Sequence, residues 1–275
     1  MNKRILAIIS TKKKDNQDNN IFIANCVNKL NELYDLDIII ISSDEQEYDM
    51  LKGINKTDNI TVKFVHNKHY EIGAWKLGYD FCPNYDIYLC IQDSLIPTNK
   101  FDFCNFSKNN IALFQRTAYW DSIIERKEAL NLVKDSKYYD LVNNSIMKES
   151  TIYNYYKSLN LSPNIMKRVC PYSNLCYRIN LCQHCSFIIH NDNLKDLLIN
   201  LIKLPKEKMH SCAYERILGI IFHENLYSKA EQEIMKIPKQ FDISIDGFFQ
   251  EILVLPKYNI IYLNNNFKKI SGNRM

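Results

Sequence analysis

Residues 70–94 read YEIGAWKLGYDFCPNYDIYLCIQDS, and this stretch decides the fold class of the chain. Its first part, 70–81, has apolar residues at helical spacing, and the run from 85 to 91 has the length and apolar character of a buried strand. A helix that leads into a buried strand is one half of the repeating unit of a parallel α/β sheet. The stretch therefore predicts an α/β protein.

The residues before this stretch repeat the same pattern. Strands are predicted at 5–10, 37–43 and 60–65, and a helix at 21–33. The resulting order of strand, helix, strand, strand, helix and strand predicts a mostly parallel sheet. In such sheets ligands bind beyond the carboxyl ends of the strands. The polar residues at those ends are Ser10, Thr11, Ser43, Asp44, His66, Asn67, Gln92, Asp93 and Ser94.

The second half of the chain has a weaker pattern. The elements expected there are a helical, Tyr-rich segment at 118–160, strands at 111–114 and 186–189, helices at 194–204 and 213–222, and a late hairpin from 252–255 and 259–263. A polar, basic tail follows at 264–275. Because the sequence contains no internal repeat and no Pro- or Ser-rich linker, we interpret residues 1–275 as one domain with two halves, 1–100 and 101–263.

The composition excludes several classes of protein. Of the 275 residues, 46% are apolar and 24% are charged, so the chain is neither disordered nor fibrous. A net charge of +4 is too small to indicate nucleic acid as the main partner, and no apolar run is long enough to predict a transmembrane segment. Only 6 residues are Gly, and no Gly-rich phosphate-binding motif occurs. Nine cysteines without a recognisable secretory signal predict reduced thiols and a cytoplasmic location.

One motif resembles a known family. The pattern acidic-x-G-A-W-K-x-G at 71–78, followed by Y-D-x-x-L-x-x-x-D-S at 85–94, resembles GT-A-type glycosyltransferases. It is similar in particular to the rhamnan-synthesis F-like transferases of polysaccharide assembly, whose helix reads roughly D-F-G-A-[YW]-K and whose strand ends N-D-S. The resemblance covers residues 5 to about 98, and it is weaker at 183–189 and at Tyr214-Glu215.

This resemblance implies a GT-A-like (Rossmann-like) fold and an activity. The activity would be transfer of a hexosyl or deoxyhexosyl group from a nucleotide sugar, with a UDP-sugar favoured, to a glycan or other hydroxyl acceptor. Asp93 would stand where the family places its D-x-D metal carboxylate, so Mg²⁺ or Mn²⁺ is an expected cofactor. The segment Gln92-Asp93-Ser94 offers one carboxylate instead of two, so basic side chains are expected to share the stabilisation of the leaving diphosphate.

The candidate donor-binding residues lie at strand ends, on the helix at 70–81, or in the basic tail. They are Ser10, Thr11, Asp44, Glu71, Gly73, Lys76, Gln92, Asp93, Ser94, Lys268 and Lys269. Asp44 is placed to accept hydrogen bonds from a uracil or a ribose. His190, at a predicted strand end, is a further candidate to ligate a metal or to contact phosphate. The tail lacks an apolar stripe, so we expect it to be mobile when empty and to close over the bound donor.

Glu215 is the candidate general base. Inverting sugar transfer requires a group that takes the proton from the acceptor hydroxyl as it attacks the anomeric carbon. Glu215 opens a helix that is otherwise apolar, so its carboxylate is expected at the mouth of that helix, with His210 nearby as an alternative base. The competing interpretation is an acidic residue favoured electrostatically in the first turn of a helix.

Other interpretations of these residues remain open in the sequence. Asp93 could cap a turn, Lys76 could be a solvated helix lysine, and Trp75 and Trp120 could be core residues instead of sugar platforms. The thiols of Cys170, Cys176, Cys182 and Cys185 lie within 16 residues, but only the last two have zinc-ligand spacing, so buried packing is favoured. The alternative function is a non-catalytic sugar- or protein-binding module on the same fold.

Overall fold

The computed structural model describes residues 3–12, 19–44, 53–55, 57–118, 123–146, 179–201, 203–223 and 258–270. Within them the helices are α1 (Asn19–Leu33), α2 (Tyr70–Phe81), α3 (Ile123–Val133), α4 (Asn191–Asn200) and α5 (Lys208–His223), with a further helical stretch at 139–146. The strands are β1 (Ile5–Thr11), β2 (Asp37–Ser42), β3 (Ile60–Phe64), β4 (Ile87–Gln92), β5 (Leu95–Pro97), β6 (Asn110–Ala118), β7 (Ile179–His190), β8 (Asn259–Tyr262) and β9 (Phe267–Lys269).

Seven of these strands form one mixed sheet. Their order is β3-β2-β1-β4-β7-β6-β8, and β5 pairs with β9 in a second, two-stranded sheet. The pairs formed among β1, β2, β3 and β4 are parallel, β7 is antiparallel to both of its neighbours, and β8 is parallel to β6. The predicted fold class, an α/β protein with a mostly parallel sheet flanked by helices, is confirmed.

Each face of the large sheet is covered by its own core. Along β1, Ala7 and Ile9 pack on the side of α1, whereas Leu6 and Ile8 pack on the side of α2 and α5. Both faces are buried, which is why β1 and β2 are almost continuously apolar. At Gly78 of α2 a Cβ atom would lie 2.5 Å from Ile8 Cγ2, so only glycine permits α2 to pack this closely on β1.

The β7 strand contains a large bulge in the middle of the sheet. The register with β6 changes from Leu113–Phe187 to Gln115–Cys182, so Phe114 alone faces residues 183–186. Within the bulge His184 and Cys185 have φ angles of 58° and 48°, in the left-handed region. Such a conformation costs a non-glycine residue about 1–3 kcal/mol and is found mainly where the surrounding structure holds it in place. The bulge is therefore a strained feature at the centre of the sheet.

Residues 264–270 of the basic tail are docked in this structure, whereas the sequence analysis expects the tail to be mobile when empty. Within residues 264–270, Phe267 is buried and its ring packs edge-on against Phe114, with centroids 5.4 Å apart. The Asn264 side chain bonds both the N–H and the carbonyl of Gln115. A single buried aromatic residue and one strand pairing are enough to dock the segment, although it has no apolar stripe. Arg274 lies outside the described residues.

The remaining sequence predictions for the fold have mixed outcomes. β8 pairs with β6 in parallel, and the predicted hairpin partner at 252–255 lies outside the described residues. Trp75 is fully buried, so it is a core residue, whereas Trp120 falls in a part of the chain that the structure does not describe. None of the helices described is both long and apolar enough to cross a membrane.

Candidate functional site

The strand order of the large sheet reverses between β1 and β4, because β2 and β3 lie on one side of β1 and β4 on the other. In open α/β sheets, ligands bind in the crevice beyond the carboxyl ends of such strands. Here Thr11 Oγ1 donates a hydrogen bond of 2.7 Å to Asp93 Oδ2, and the backbone N–H of Asp93 donates to the Ser10 carbonyl at 3.1 Å. The structure therefore brings Ser10, Thr11 and Asp93 together at this crevice.

A lysine from β9 reaches the same strand ends. The Lys269 Nζ atom donates to Gln92 Oε1 at 2.6 Å and to Ser94 Oγ at 2.5 Å. Its neighbour Lys268 is exposed and lines the adjacent pocket. Lys269 thus brings positive charge to residues that directly flank Asp93 in the chain, and the docked tail is what positions this charge.

Glu71 connects these strand ends to helix α5. One of its carboxylate oxygens accepts a hydrogen bond from Gln92 Nε2, and the other accepts from Ser211 Oγ at 2.9 Å. Because Gln92 also accepts from Lys269, polar contacts run continuously from β9 through the end of β4 to α5. The crevice and the first half of α5 are therefore parts of one polar network.

Glu215 lies one turn after Ser211 on the same face of α5. Its Oε1 atom accepts the backbone N–H of His184 at 2.8 Å and lies 3.8 Å from His184 Nδ1. Burial raises the pKa of this carboxyl group, and the His184 N–H and the charge of Lys208 act in the opposite direction. The side chain is 21% exposed, so Glu215 is a partly accessible carboxyl group with a raised proton affinity.

An open pocket of about 390 Å³ lies between the β7 bulge and β9. Its lining includes Phe114, Gln183, His184, Asn264, Lys268 and Lys269. The volume falls within the range of small-molecule sites. Because Lys269 both lines this pocket and contacts the end of β4, and because His184 both lines it and contacts Glu215, the pocket adjoins the polar network on two sides.

Asp44 borders the crevice from the end of β2. Its carboxylate lies 3.3 Å from the Ser42 hydroxyl, and the N–H of Ser43, the preceding residue, donates to the Thr11 carbonyl at 3.0 Å. Asp44 is partly buried. Asp44 thus directly follows a residue that bonds Thr11, and its contact with a ligand in the crevice stays a prediction.

The surroundings of Gly73 and Lys76 differ from those of the strand-end residues. A Cβ atom at Gly73 would clash with Asn67 Oδ1, so close packing against the loop before α2 accounts for this glycine. The Lys76 ammonium lies 3.4 Å from Asp80 on the exposed side of α2. In the described part of the chain the structure gives neither residue a hydrogen bond to the strand-end residues.

His190 lies at the opposite edge of the sheet from Asp93, so the structure does not bring these two candidate metal ligands together. His190 pairs with Ile87, the first residue of β4, because β7 runs antiparallel to β4. Asp93 follows the last residue of β4, about 20 Å away at roughly 3.3 Å per strand residue. The His190 ring accepts the N–H of Asp192, as an N-cap of α4.

His210 is likewise separate from Glu215. Its Nδ1 accepts the backbone N–H of Lys206 at 3.2 Å, and its Nε2 lies 3.3 Å from Glu128. Five residues along a helix correspond to about 140° of rotation, so His210 and Glu215 lie on different faces of α5. The alternative base of the sequence analysis is thus engaged with Lys206 and Glu128, away from the polar network.

Of the four clustered cysteines, Cys182 and Cys185 lie within the described residues, and both are buried packing groups. Cys182 donates to the Ser186 carbonyl and Cys185 to the Ser211 carbonyl, and burial raises the pKa of both thiols well above the usual value. Protonated thiols are poor metal ligands. Cys170 and Cys176 lie outside the described residues, and within the part that is described no group of three or more His, Cys, Asp or Glu side chains could hold a metal ion.

Two site residues escaped the sequence analysis. The available signal for Ser211 was its spacing of four residues before Glu215, which places both side chains on one helix face. The signal for His184 was a polar pair, Gln183-His184, inside an apolar strand. Tyr214 directly precedes Glu215 in the sequence. Its hydroxyl is buried and donates to the Lys203 carbonyl.

Comparison with known proteins gives distant structural similarities only. No protein-family model and no curated protein matches the chain. Among solved structures it is similar to the apo WbbM bifunctional glycosyltransferase, with 13% identity and a TM-score of 0.30 over 50% of this chain and 25% of that chain. It is also similar to Core-mannan synthase A (CmsA/Ktr4) from Aspergillus fumigatus in an Mn/GDP form, with 11% identity and a TM-score of 0.33 over 77% of this chain and 69% of that chain.

A third neighbour is the mannosyltransferase Ktr4p from S. cerevisiae in complex with GDP, with 13% identity and a TM-score of 0.35. The similarity covers 79% of this chain and 62% of Ktr4p, whereas the chain spans only a quarter of WbbM. These neighbours are glycosyltransferases, but identities and TM-scores this low do not transfer activity, substrate or metal to this chain. The proposals below therefore rest on its own residues.

Proposed function

We propose that this protein is a glycosyltransferase that moves a hexosyl or deoxyhexosyl group from a nucleotide sugar to a hydroxyl group of a glycan. The observation that carries this proposal is the arrangement at the strand ends. Asp93 and Thr11 meet at the switch point of the sheet, Lys269 lies beside them, and a pocket of about 390 Å³ leads from Lys269 to the Glu215-bound bulge. The motif at 71–94, which resembles rhamnan-synthesis F-like transferases, supports the same activity and a role in polysaccharide assembly.

The nucleotide is proposed to lie over the ends of β1 and β2. Asp44 beside Thr11 supplies a carboxylate that accepts hydrogen bonds from a ribose or from the N–H of a uracil, which favours a UDP-sugar as donor. The diphosphate then lies near Asp93 and the lysines of β9. The sugar occupies the pocket between β9 and the bulge, with the acceptor entering from the side of the second half of the chain.

The leaving diphosphate needs positive charge, and we propose two sources of it. Lys269 and Lys268 are ammonium groups beside the crevice. Asp93 and the Thr11 hydroxyl are hard oxygen donors 2.7 Å apart, which suits Mg²⁺ or Mn²⁺ when phosphate and water complete its coordination. Such an ion, when bound, supplies electrostatic stabilisation of the leaving group.

Proton removal is proposed for the other end of the pocket. The carboxylate of Glu215 supplies negative charge next to His184, a residue that lines the pocket. General base catalysis of this kind contributes typically 10²- to 10⁴-fold. The remaining contribution comes from holding donor and acceptor in line at the anomeric carbon.

The proposal is tested by measuring nucleotide release from a panel of nucleotide sugars. The panel contains UDP-glucose, UDP-galactose, UDP-N-acetylglucosamine, GDP-mannose and dTDP-rhamnose, each with EDTA, Mg²⁺ or Mn²⁺. We expect binding and slow hydrolysis of at least one sugar, faster when an oligosaccharide acceptor is added. Binding of a free sugar or a protein without any nucleotide release would instead support the non-catalytic module.

A further inference from the structure

A series of side-chain hydrogen bonds joins four elements at the edge of the sheet where Asp93 lies. Lys269 of β9 donates to Gln92 at the end of β4, and Gln92 donates to Glu71 of α2. Ser211 of α5 donates to the same carboxylate. These contacts span 177, 21 and 140 residues of sequence. Bonds between two side chains are a minority of the hydrogen bonds in folded proteins, so a series of three is an unusual arrangement.

The amide group of Gln92 has only one suitable orientation between its two partners. An ionised carboxylate only accepts hydrogen bonds and an ammonium only donates them, whereas an amide does both. The amide nitrogen of Gln92 therefore faces Glu71, and its oxygen lies 2.6 Å from Lys269 Nζ. A reversed amide would place donor against donor at Lys269 and acceptor against acceptor at Glu71. Glu71 thus determines which atom of Gln92 meets the ammonium.

Glu71 is itself held by helix α5. The Ser211 hydroxyl donates at 2.9 Å to the carboxylate oxygen that Gln92 does not contact. Ser211 is buried, with 4% of its surface exposed. Because each oxygen of Glu71 accepts from a different element, the carboxylate is fixed from two directions and can in turn fix Gln92.

The positive charge lies at the other end of the series. Lys269 Nζ also donates to Ser94 Oγ at 2.5 Å, so its acceptors are the two residues that flank Asp93 in the chain. An amide and a hydroxyl are both neutral, so these two acceptors orient the ammonium without cancelling its charge. A lysine has a flexible stem of four carbons, and holding it in place before a ligand arrives reduces the entropy that binding costs.

We propose that Glu71 is a positioning residue of this site, which acts through Gln92 to hold the Lys269 ammonium where it binds the diphosphate of the nucleotide. This inference rests on the proposed transferase function and refines it. Glu71 and Gln92, which the sequence suggests as direct ligands of the donor, instead orient the group that binds the donor. Ser211 secures Glu71 in this role.

The alternative role for Glu71 is direct contact with the donor sugar, because carboxylates accept hydrogen bonds from hydroxyl groups. Nucleoside diphosphates that carry no sugar distinguish the two roles. A residue that positions Lys269 affects the affinity for the diphosphate itself, whereas a residue that binds the sugar does not. UDP, GDP and dTDP are therefore the probes.

The first test is a double-mutant cycle with Glu71→Ala and Lys269→Met in the full chain, with affinity for the three probes measured by calorimetry. We expect Lys269→Met to weaken binding of the preferred probe by about 10- to 100-fold, and Glu71→Ala by about tenfold. The double variant should bind no more weakly than Lys269→Met, because Glu71 has nothing left to position. Additive losses would show that Glu71 acts independently of Lys269 and would overturn the inference.

Two further variants control for charge and for stability. Glu71→Gln keeps an oxygen for Gln92 and an amide that can bond the Ser211 hydroxyl, so it should retain an affinity close to that of the wild type. Asp37→Ala is matched to Glu71→Ala, since it removes a carboxylate that accepts the Tyr85 hydroxyl at 2.6 Å at the other edge of the sheet. It should lose stability but no affinity. Equal losses of affinity in Glu71→Gln and Glu71→Ala would contradict a positioning role, because the charge itself would then be required.

A second measurement needs no ligand. The NMR signals of the Lys269 Cε protons are assigned by their absence from Lys269→Met. The two protons have distinct chemical shifts when the side chain is held in one conformation and averaged shifts when it rotates freely. We expect distinct shifts in the wild type and in Glu71→Gln, and averaged shifts in Glu71→Ala. Averaged shifts in the wild type, or distinct shifts that persist in Glu71→Ala, would overturn the inference.

The outcomes separate this inference from the proposed function. A wild-type protein that binds neither the three probes nor any nucleotide sugar of the panel overturns the proposed function, and the role in diphosphate binding with it. A wild type that binds a probe, together with Glu71→Ala that binds it equally well, overturns the inference alone.

Discussion

Strand β4 has an aspartate next to each of its ends, and the two aspartates differ in their surroundings. Asp86, before the strand, accepts the backbone N–H of Arg4 at 2.8 Å, and its carbonyl accepts the N–H of Asn191. Asp93, after the strand, accepts the hydroxyl of Thr11 and is flanked by residues that Lys269 binds. The first carboxylate joins two chain segments, whereas the second lies among side chains that border a pocket.

The same contrast separates the two edges of the sheet that the strand ends form, one at Asp86 and the other at Asp93. At the edge of Asp86 polar side chains such as His190 cap helices or bond backbone groups, although Tyr85 and Tyr79 also donate to the side chains of Asp37 and Asn191. At the edge of Asp93 side chains bond one another, in the series Lys269, Gln92, Glu71 and Ser211. A polar residue at a strand end is therefore informative only when the direction of that strand is known.

The sharpest test of this contrast is Asp93→Asn. We expect a loss of transfer of about 10²- to 10³-fold, because the variant removes charge that acts on the diphosphate or its cation and removes nothing from the core. The melting temperature should stay close to that of the wild type. Nucleotide release and thermal unfolding are measured on the same preparations.

Asp86→Asn is the matched control for this substitution. The amide oxygen of asparagine can still accept the Arg4 N–H, and the site is remote from the crevice. We expect wild-type turnover and a change in the free energy of unfolding below about 1 kcal/mol. Equal turnover in Asp93→Asn and Asp86→Asn would show that the two ends of β4 do not differ in function.

Glu215→Gln has the second-largest expected effect on activity. Glutamine keeps an oxygen for the His184 N–H, so the bulge stays in place, but the negative charge is lost. We expect a decrease in turnover at saturating donor of about 10²-fold, with little change in donor affinity. A fall in affinity with constant turnover would instead make Glu215 a residue that binds the donor.

The sequence predicted most regular elements because their patterns are local. The boundaries of α2 agree with the predicted helix at 70–81, and β1 and β2 extend to within one residue of their predicted ends. In these segments burial on one or both faces produces a regular spacing of apolar residues, which can be recognised within a short stretch of sequence. The fold class of the first half was therefore accessible from the sequence alone.

The rest of the site depends on contacts between distant residues. The β9 strand has three residues and pairs with β5, so neither is long enough to show a period. The bulge at 183–186 interrupts the alternation of β7, and the contact between His184 and Glu215 spans 31 residues. The distance between His190 and Asp93 was not accessible from the sequence, because the antiparallel direction of β7 is a property of the whole sheet.

Trp75→Phe tests whether the bulge is part of the functional edge. It removes the donor to the Cys185 carbonyl and leaves that buried oxygen unpaired, at a cost of about 1–3 kcal/mol. Tyr88→Phe is the control, since the Tyr88 hydroxyl donates to the Cys82 carbonyl near the amino end of β4. We expect similar losses of stability in chemical denaturation, but reduced turnover only in Trp75→Phe. Equal turnover in Trp75→Phe and Tyr88→Phe would show that the bulge has no part in catalysis.

The smallest expected effect is that of Glu215→Gln on stability. This substitution is expected to decrease activity but to increase stability slightly. Burial raises the pKa of Glu215 above its ordinary value of 4.5, so the folded protein holds this proton more tightly than the unfolded chain does. The resulting stabilisation is present below the ordinary value and is lost as the pH rises through the folded-state value. Above that value the wild type carries the cost of a buried charge, and a neutral glutamine does not.

Glu215→Gln should therefore melt at a slightly higher temperature than the wild type at pH 7.5, and this advantage should disappear as the pH falls toward 4. Glu32→Gln is the control, because Glu32 is exposed and pairs with the neighbouring Lys29 at the surface. Its melting temperature should follow the wild type at both values of pH. A stability gain for Glu215→Gln that persists unchanged at pH 4 would show that buried charge is not the cause. A gain confined to high pH would mean that the carboxylate is retained at a cost in stability, as expected for a functional group.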